Sequence, residues 1–213
     1  MNQVGEGRIV RFETALLAMD TAGIKLMLTE FSGLSLSLAE ALIVPALERI
    51  GRGWEEGRYA LSQVYMSGRQ CEALMNSIQP DIAVEQVSGP RMAIAALEDY
   101  HLLGMRLVSS VLRASGFPLL DYGRMDVDSL ADRVADAGVD ILLISVLMLR
   151  SALRVRDLRR KLGASGHRVA LAVGGAPFRL DKELWREVGA DGTSDTAAGA
   201  VALVKRLAEE REN

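Results

Sequence analysis

Asp99-Tyr100-His101-Leu102-Leu103-Gly104 follows the apolar run at residues 92–96 and opens a stretch whose apolar residues recur at helical spacing. A fully apolar run, a short polar turn and then an amphipathic segment is how one βα unit of a parallel sheet reads, because a strand buried on both faces has no polar alternation. The turn lies at the strand's carboxyl end, the edge of an open α/β sheet where ligands bind. An imidazole and a carboxylate two residues apart therefore fall where chemistry is expected.

The same succession repeats outward from this unit. Strands are predicted at 92–96, 119–122, 141–145 and 169–173, with a weak edge strand at 189–193, and helices at 102–115, 127–137, 147–162, 182–187 and 196–210. Five strands alternating with five helices predict a flavodoxin-like, Rossmann-type five-stranded parallel sheet. Ser145 ends one predicted strand and Gly174-Gly175 ends another, so they join Asp99 and His101 at the carboxyl edge. Toward the N-terminus the period changes. Ile9, Phe12, Leu16 and Leu17, then Ile24, Leu26 and Leu28, then Leu38, Leu42, Ile43, Leu47 and Ile50, then Leu61, Val64, Met75 and Ile78 predict four helices, with breaks at Gly23, Ser32-Gly33, Gly51 to Gly53 and Gly57. A polar connector at 79–90, punctuated by Pro80, Gly89 and Pro90, divides a helical bundle at 1–88 from the α/β domain at 89–213 and is expected to act as a hinge.

Composition narrows the class of protein. With 213 residues, 49% of them hydrophobic, and a formal net charge of -3, the chain has material for one or two cored domains and no basic excess suited to nucleic acid. It contains no apolar run of the roughly 20 residues that cross a bilayer and no secretory leader pattern, so a cytoplasmic location is expected. Cys71 is the sole cysteine, which excludes an intramolecular disulfide and a thiolate cluster. A single His beside one Asp cannot close a zinc site, which needs three or four protein ligands. A metal that brings its own equatorial ligands needs only one axial nitrogen, and a carboxylate on the other ring nitrogen fixes the imidazole tautomer. The pair suits a tetrapyrrole-like cofactor better than a bare ion.

Asp99-x-His101-x-x-Gly104, then Ser145-x-Leu147, then Gly174-Gly175, in that order, resembles the cobalamin-binding domain of methionine synthase, corrinoid methyl carriers and carbon-skeleton mutases. The resemblance implies that His101 is the lower axial ligand of cobalt in a base-off, His-on cobalamin and that Asp99 bonds its distal nitrogen. It further implies that Ser151 completes a proton relay with them, that Ser145 bonds the displaced base, that Leu147 lines its slot, that Gly174 and Gly175 admit the nucleotide tail, and that Gly104 permits close approach where the first helix begins. Two departures stand out: Glu98 precedes Asp99 where many methyl-carrying relatives have glycine, and Leu102-Leu103-Gly104-Met105 replaces Asp-Ile-Gly-Lys.

The helical half, with Ile50-Gly-Arg-Gly-Trp54-Glu-Glu-Gly57 and the segment from Leu61 to Met75, resembles the cap that precedes the cobalamin domain in methionine synthase and in corrinoid proteins of methanol, methylamine and O-demethylase systems. Val64, Met66 and Met75 are the residues this likeness suggests for the cap, although each also suits ordinary bundle core. Cobalamin-dependent light sensors share the architecture but carry Glu-His where this chain has Val64-Tyr65. The expected role is that of a non-catalytic corrinoid subunit cycling between methylcobalamin and cob(I)alamin. It would shuttle a methyl group from a substrate-specific methyltransferase to an acceptor methyltransferase, with a reductive activase as a further partner. The alternative is a cobalamin-binding sensory or regulatory module; a mutase subunit fits less well, because mutase cobalamin domains lack this cap. Trp54 reads as a packing anchor, Cys71 as a small buried hydrophobe, His167 as an exposed residue, and Arg150, Arg154, Arg156, Arg159, Arg160 and Lys161 as the solvated face of a helix, with partner docking as the alternative.

Overall fold

A computed structural model describes residues 5–29, 36–77, 89–164, 166 and 168–212. Most of the predicted connector, His167 and the side chain of Met75 lie outside the described residues. The chain divides into two compact units, Met1–Pro80 and Asp81–Asn213.

The first unit contains four helices among the described residues: α1 (Glu6–Leu17), α2 (Thr21–Thr29), α3 (Leu36–Glu55) and α4 (Leu61–Ser77). Phe12 and Leu16 of α1, Leu42, Ile43, Ala46 and Ile50 of α3, and Cys71 and Leu74 of α4 are buried, which is the 3.6-residue spacing turned into a core. Within that core Glu13 is also buried. Its carboxylate accepts from Arg49 Nε at 2.5 Å and from Tyr59 Oη at 3.2 Å, so the buried charge is paired and hydrogen-bonded. The break predicted at Gly51 to Gly53 does not occur. Helix α3 continues to Glu55 and contains Pro45, and the chain turns at Gly57, whose φ of 73° suits glycine. Trp54, predicted as an anchor, is 47% exposed in the last turn of α3.

The second unit is a five-stranded, all-parallel sheet with the order β2-β1-β3-β4-β5. Its elements are β1 (Met92–Leu97), α5 (Leu103–Ala114), β2 (Leu120–Met125), α6 (Val127–Asp136), β3 (Ile141–Ser145), α7 (Leu149–Ala164), β4 (Ala170–Gly174), α8 (Ala176–Leu180), α9 (Leu184–Glu187), β5 (Gly192–Ser194) and α10 (Ala197–Glu212). This is the flavodoxin-like fold. All six residues of β1 are buried, and alternation sorts them to opposite faces. Ala93, Ala95 and Leu97 pack with Leu130 and Val134 of α6 and Val155 and Leu158 of α7, whereas Met92, Ile94 and Ala96 pack with Met105 and Leu112 of α5 and Val204 and Leu207 of α10. Register then aligns the carboxyl ends. Ala96 pairs with Ser145, Ser145 with Gly174 and Gly174 with Ser194, so one row crosses four strands. At the other side β2 is an edge strand; its register against β1 shifts between Ile94 and Ala96, and Gly123 within it has φ 63°.

Candidate functional site

The β1–α5 turn shapes the centre of the site. Asp99 is 2% exposed, and each of its carboxylate oxygens is occupied twice. Oδ1 accepts from His101 Nδ1 at 2.8 Å and from the His101 backbone N–H at 3.1 Å; Oδ2 accepts from the N–H groups of Leu147 at 2.7 Å and Met148 at 3.0 Å. Burial pushes the Asp99 carboxyl upward, but the hydrogen bonds from the His101 ring, Leu147, Met148 and the His101 N–H outweigh it and hold the group below the ordinary carboxylate value. An ionised carboxylate can only accept, so the imidazole presents N–H at Nδ1. In the neutral ring the lone pair is then on Nε2, and the ring is half exposed at the carboxyl edge of the sheet.

The neighbouring residues follow from the same register. Ser145 ends β3, and its Oγ lies 3.0 Å from where a Cβ on Gly104 would stand, so glycine at the start of α5 makes room for that hydroxyl. Leu147, Met148 and Leu149 form an exposed apolar run, with Leu147 44% exposed. Gly174 and Gly175 end β4 and lead into α8. A Cβ on Gly174 would meet only Ser194 O at 3.5 Å, an ordinary contact. Gly175 differs: its φ is 123°, and a Cβ there would overlap the Val146 carbonyl. Its first requirement is thus the close approach of two chain segments of this protein. Tyr100, largely exposed, lies under the Arg124 guanidinium of β2, 4.0 Å from its ring centroid.

The structure brings together Asp99, His101, Gly104, Ser145, Leu147, Gly174 and Gly175 and corrects one link. Ser151 is buried, but its Oγ donates to the backbone carbonyl of Glu98 at 3.2 Å and not to Asp99, because both Asp99 oxygens are already taken by four N–H donors. Val64 and Met66 lie in α4 of the first unit, each half buried. The basic run on α7 is largely tied down. Arg154 pairs with Glu98 and Asp157, Arg159 with Asp191, Arg160 with Asp157 and Lys161 with Asp128, while Arg156 donates to Glu187 O at 3.3 Å. Sequence reasoning passed over the Leu147 and Met148 N–H groups and the Glu98–Arg154 pair; the proximity of Glu98 to Asp99 was the available signal. Among the described residues no group of three or more His, Cys, Asp or Glu side chains could hold a metal ion.

Comparison with known proteins bears directly on this edge of the sheet. A family model described as a B12 binding domain matches residues 92–202, and a second with the same description matches residues 9–79. The chain belongs to the B12-binding family. Both units fall within it. The monomethylamine corrinoid protein 1 of Methanosarcina mazei is 31% identical over 213 residues, covering 92% of this chain and 95% of that protein. The monomethylamine corrinoid protein 2 of Methanosarcina acetivorans is 33% identical over 175 residues, covering 76% of this chain and 78% of the relative. Among solved structures, the monomethylamine corrinoid protein of Methanosarcina barkeri superposes with a TM-score of 0.79 at 26% identity, covering 92% of this chain and 96% of that one. Among the described residues of this B12-binding chain, no helix is long and apolar enough to cross a membrane.

Proposed function

We propose that the chain is a corrinoid methyl carrier that holds cobalamin base-off with His101 Nε2 as the axial ligand of cobalt, and that it serves a methyltransferase pair of the methylamine type. The observation that carries this is the half-exposed His101 ring with Nδ1 fixed on buried Asp99, on the carboxyl edge of a B12-binding domain. The residues present fit the group. One nitrogen with a defined lone pair suffices for a metal whose other ligands come with the cofactor, the space beside Gly174 carries no Cβ, and the exposed Leu147 supplies an apolar wall. The relatives' names supply the methylamine reading.

Cobalamin, when bound, would supply the cobalt chemistry for methyl transfer. The chain's own part is to set the electronics and geometry of one nitrogen. Asp99, kept ionised by its four donors, holds the Nδ1 proton and raises the basicity of Nε2. In this reading Ser145 bonds the displaced base and Gly174 admits the tail where β4 ends. A substrate-specific methyltransferase, an acceptor methyltransferase and a reductive activase are the partners in the same reading.

The test is reconstitution of the purified chain with hydroxocobalamin. Binding near one to one is expected, with a visible spectrum showing histidine in place of the intrinsic base, and His101→Ala should lose that spectrum. A wild-type spectrum matching free base-on cobalamin would reject the ligand assignment. Methyl transfer to and from the loaded protein by methyltransferases of a methylamine system separates a carrier from a sensory module.

A further inference from the structure

Glu98, which the carrier reading gives no task, occupies an unusual backbone position. Its φ is 48°, in the left-handed region that glycine adopts freely and a residue with a Cβ adopts at a cost. Every polar group of Glu98 has a partner. Its N–H donates to Met125 O of β2 at 2.9 Å, its carbonyl accepts from Ser151 Oγ at 3.2 Å, and its carboxylate accepts from Arg154 Nε at 3.2 Å and Nη2 at 3.2 Å. Ser151 and Arg154 stand three residues apart on α7, one turn of one face. The segment leading into the same helix supplies the Leu147 and Met148 N–H groups that hold Asp99. Two consecutive residues are thus fastened to one element, Glu98 through side chains and Asp99 through backbone.

We propose that Glu98 and Arg154 are positioning residues for the Asp99–His101 pair: their ion pair holds the residue before Asp99 in its left-handed conformation and so aims the carboxylate at the imidazole. The geometry makes this direct. The Glu98 carbonyl belongs to the peptide plane that carries the Asp99 nitrogen, so fixing φ and the carbonyl of residue 98 leaves the Asp99 Cα few directions to take. Backbone held in a sparsely populated region persists when its surroundings over-determine it, and four hydrogen bonds around Glu98 do so. The pair is half buried, with Glu98 21% and Arg154 41% exposed, and Arg154 is also anchored by Asp157.

This inference rests on the reading of His101 as an axial ligand, and its test separates the two. The variants are Glu98→Ala, Arg154→Met, Arg154→Lys, the double Glu98→Ala/Arg154→Met and, as a control, Glu98→Gly, all in the full chain. Alanine keeps the Cβ that disfavours the left-handed region and loses the side-chain anchor, whereas glycine adopts that region unaided. The first readout needs no cofactor: ring nitrogen shifts of His101 in protein labelled with 15N-histidine, assigned by comparison with His101→Ala, since the chain has 2 histidines. Wild type should show one tautomer with the proton on Nδ1. Glu98→Ala and Arg154→Met should show exchange between tautomers, whereas Glu98→Gly, which needs no anchor, and Arg154→Lys, which keeps the charge, should stay close to wild type. The second readout is release of hydroxocobalamin from loaded protein, expected about tenfold faster in Glu98→Ala and Arg154→Met, the lower end for groups that orient a metal ligand. The double variant should be no worse than the worse single one, because both changes break one link. A wild-type tautomer and release rate in both Glu98→Ala and Arg154→Met would overturn the proposal. Failure of wild type to bind cobalamin through histidine would overturn the carrier reading and leave the tautomer result to judge the clamp.

Discussion

At the scale of single residues, the site depends on groups that cannot be exchanged for close chemical relatives. Asp99→Asn is nearly isosteric, yet its amide carries one acceptor oxygen where the carboxylate uses two. If that oxygen faces His101, the NH2 group faces the Leu147 and Met148 N–H donors, and buried donors are left without acceptors. The substitution should cost about 2 kcal/mol in urea unfolding of the unloaded protein, besides altering the cobalt potential after loading. Stability equal to the parent would mean those N–H groups find other acceptors. The two glycines after β4 should also separate. Gly175→Ala sets a methyl group against the Val146 carbonyl at a φ of 123° and should abolish soluble expression or lower stability by more than about 4 kcal/mol. Gly174→Ala meets only an ordinary contact and should leave thermal stability nearly unchanged while weakening cobalamin binding, measured by equilibrium dialysis. The sequence marked both glycines as making room for a ligand, and only the structure shows that Gly175 makes room for the protein's own backbone.

At the scale of elements, much of the architecture could be read in advance because buried parallel strands announce themselves: the runs predicted at 92–96, 141–145 and 169–173 lie within a residue of β1, β3 and β4. Strand β2 extends to Met125, three residues past its predicted end, because Asp121 and Arg124 are polar and Gly123 is a poor strand former, on an edge with one side open. Helix α8 was missed altogether. Pro177 reads as a breaker, but in the first turn of a helix its missing N–H has no partner to lose. Ser151 shows the complementary limit: its place on α7 was legible, whereas its acceptor depends on how Asp99 shares out its lone pairs. Helix α6 carries the clearest local signal, Asp126 at its N-cap, where one oxygen accepts from Ser129 N–H and the other from Ser129 Oγ, both at 2.9 Å. Those bonds lower the Asp126 carboxyl from its ordinary value of 3.8. A depressed folded-state value contributes stability above pH 3.8 that is lost as pH falls through the folded value. Asp126→Ala should therefore lower the melting temperature by a few degrees at pH 7, and the difference from the parent should shrink below pH 4. A pH-independent difference would assign the effect to helix propensity.

At the scale of the whole molecule, the chemistry expected of this chain is concentrated in the second unit, where register places four strand ends in one row and the turn after β1 completes the site. The first unit is built on other physics, with helical spacing, a buried Glu13 neutralised by Arg49, and no residue of the Asp99 constellation. The sheet that supports the site is open at both sides, and an open side is a template on which another chain can add. Strand β5 is only three residues long and offers little. Strand β2 is six residues long, and three features within it spoil it as a template: Gly123 bends it at a φ of 63°, Asp121 Oδ1 occupies the Gly123 N–H at 2.8 Å, and the exposed Arg124 is drawn over Tyr100. Asp121→Val should release that N–H, remove a charge and add a β-branched residue to an edge that already exposes Leu120. The expected result is concentration-dependent light scattering on incubation at a melting temperature little changed from the parent; clear solutions at every concentration would leave Asp121 without this duty. A carboxylate bound to its own strand would then be one of the devices that keep a crowded solution of this protein from growing into fibrils.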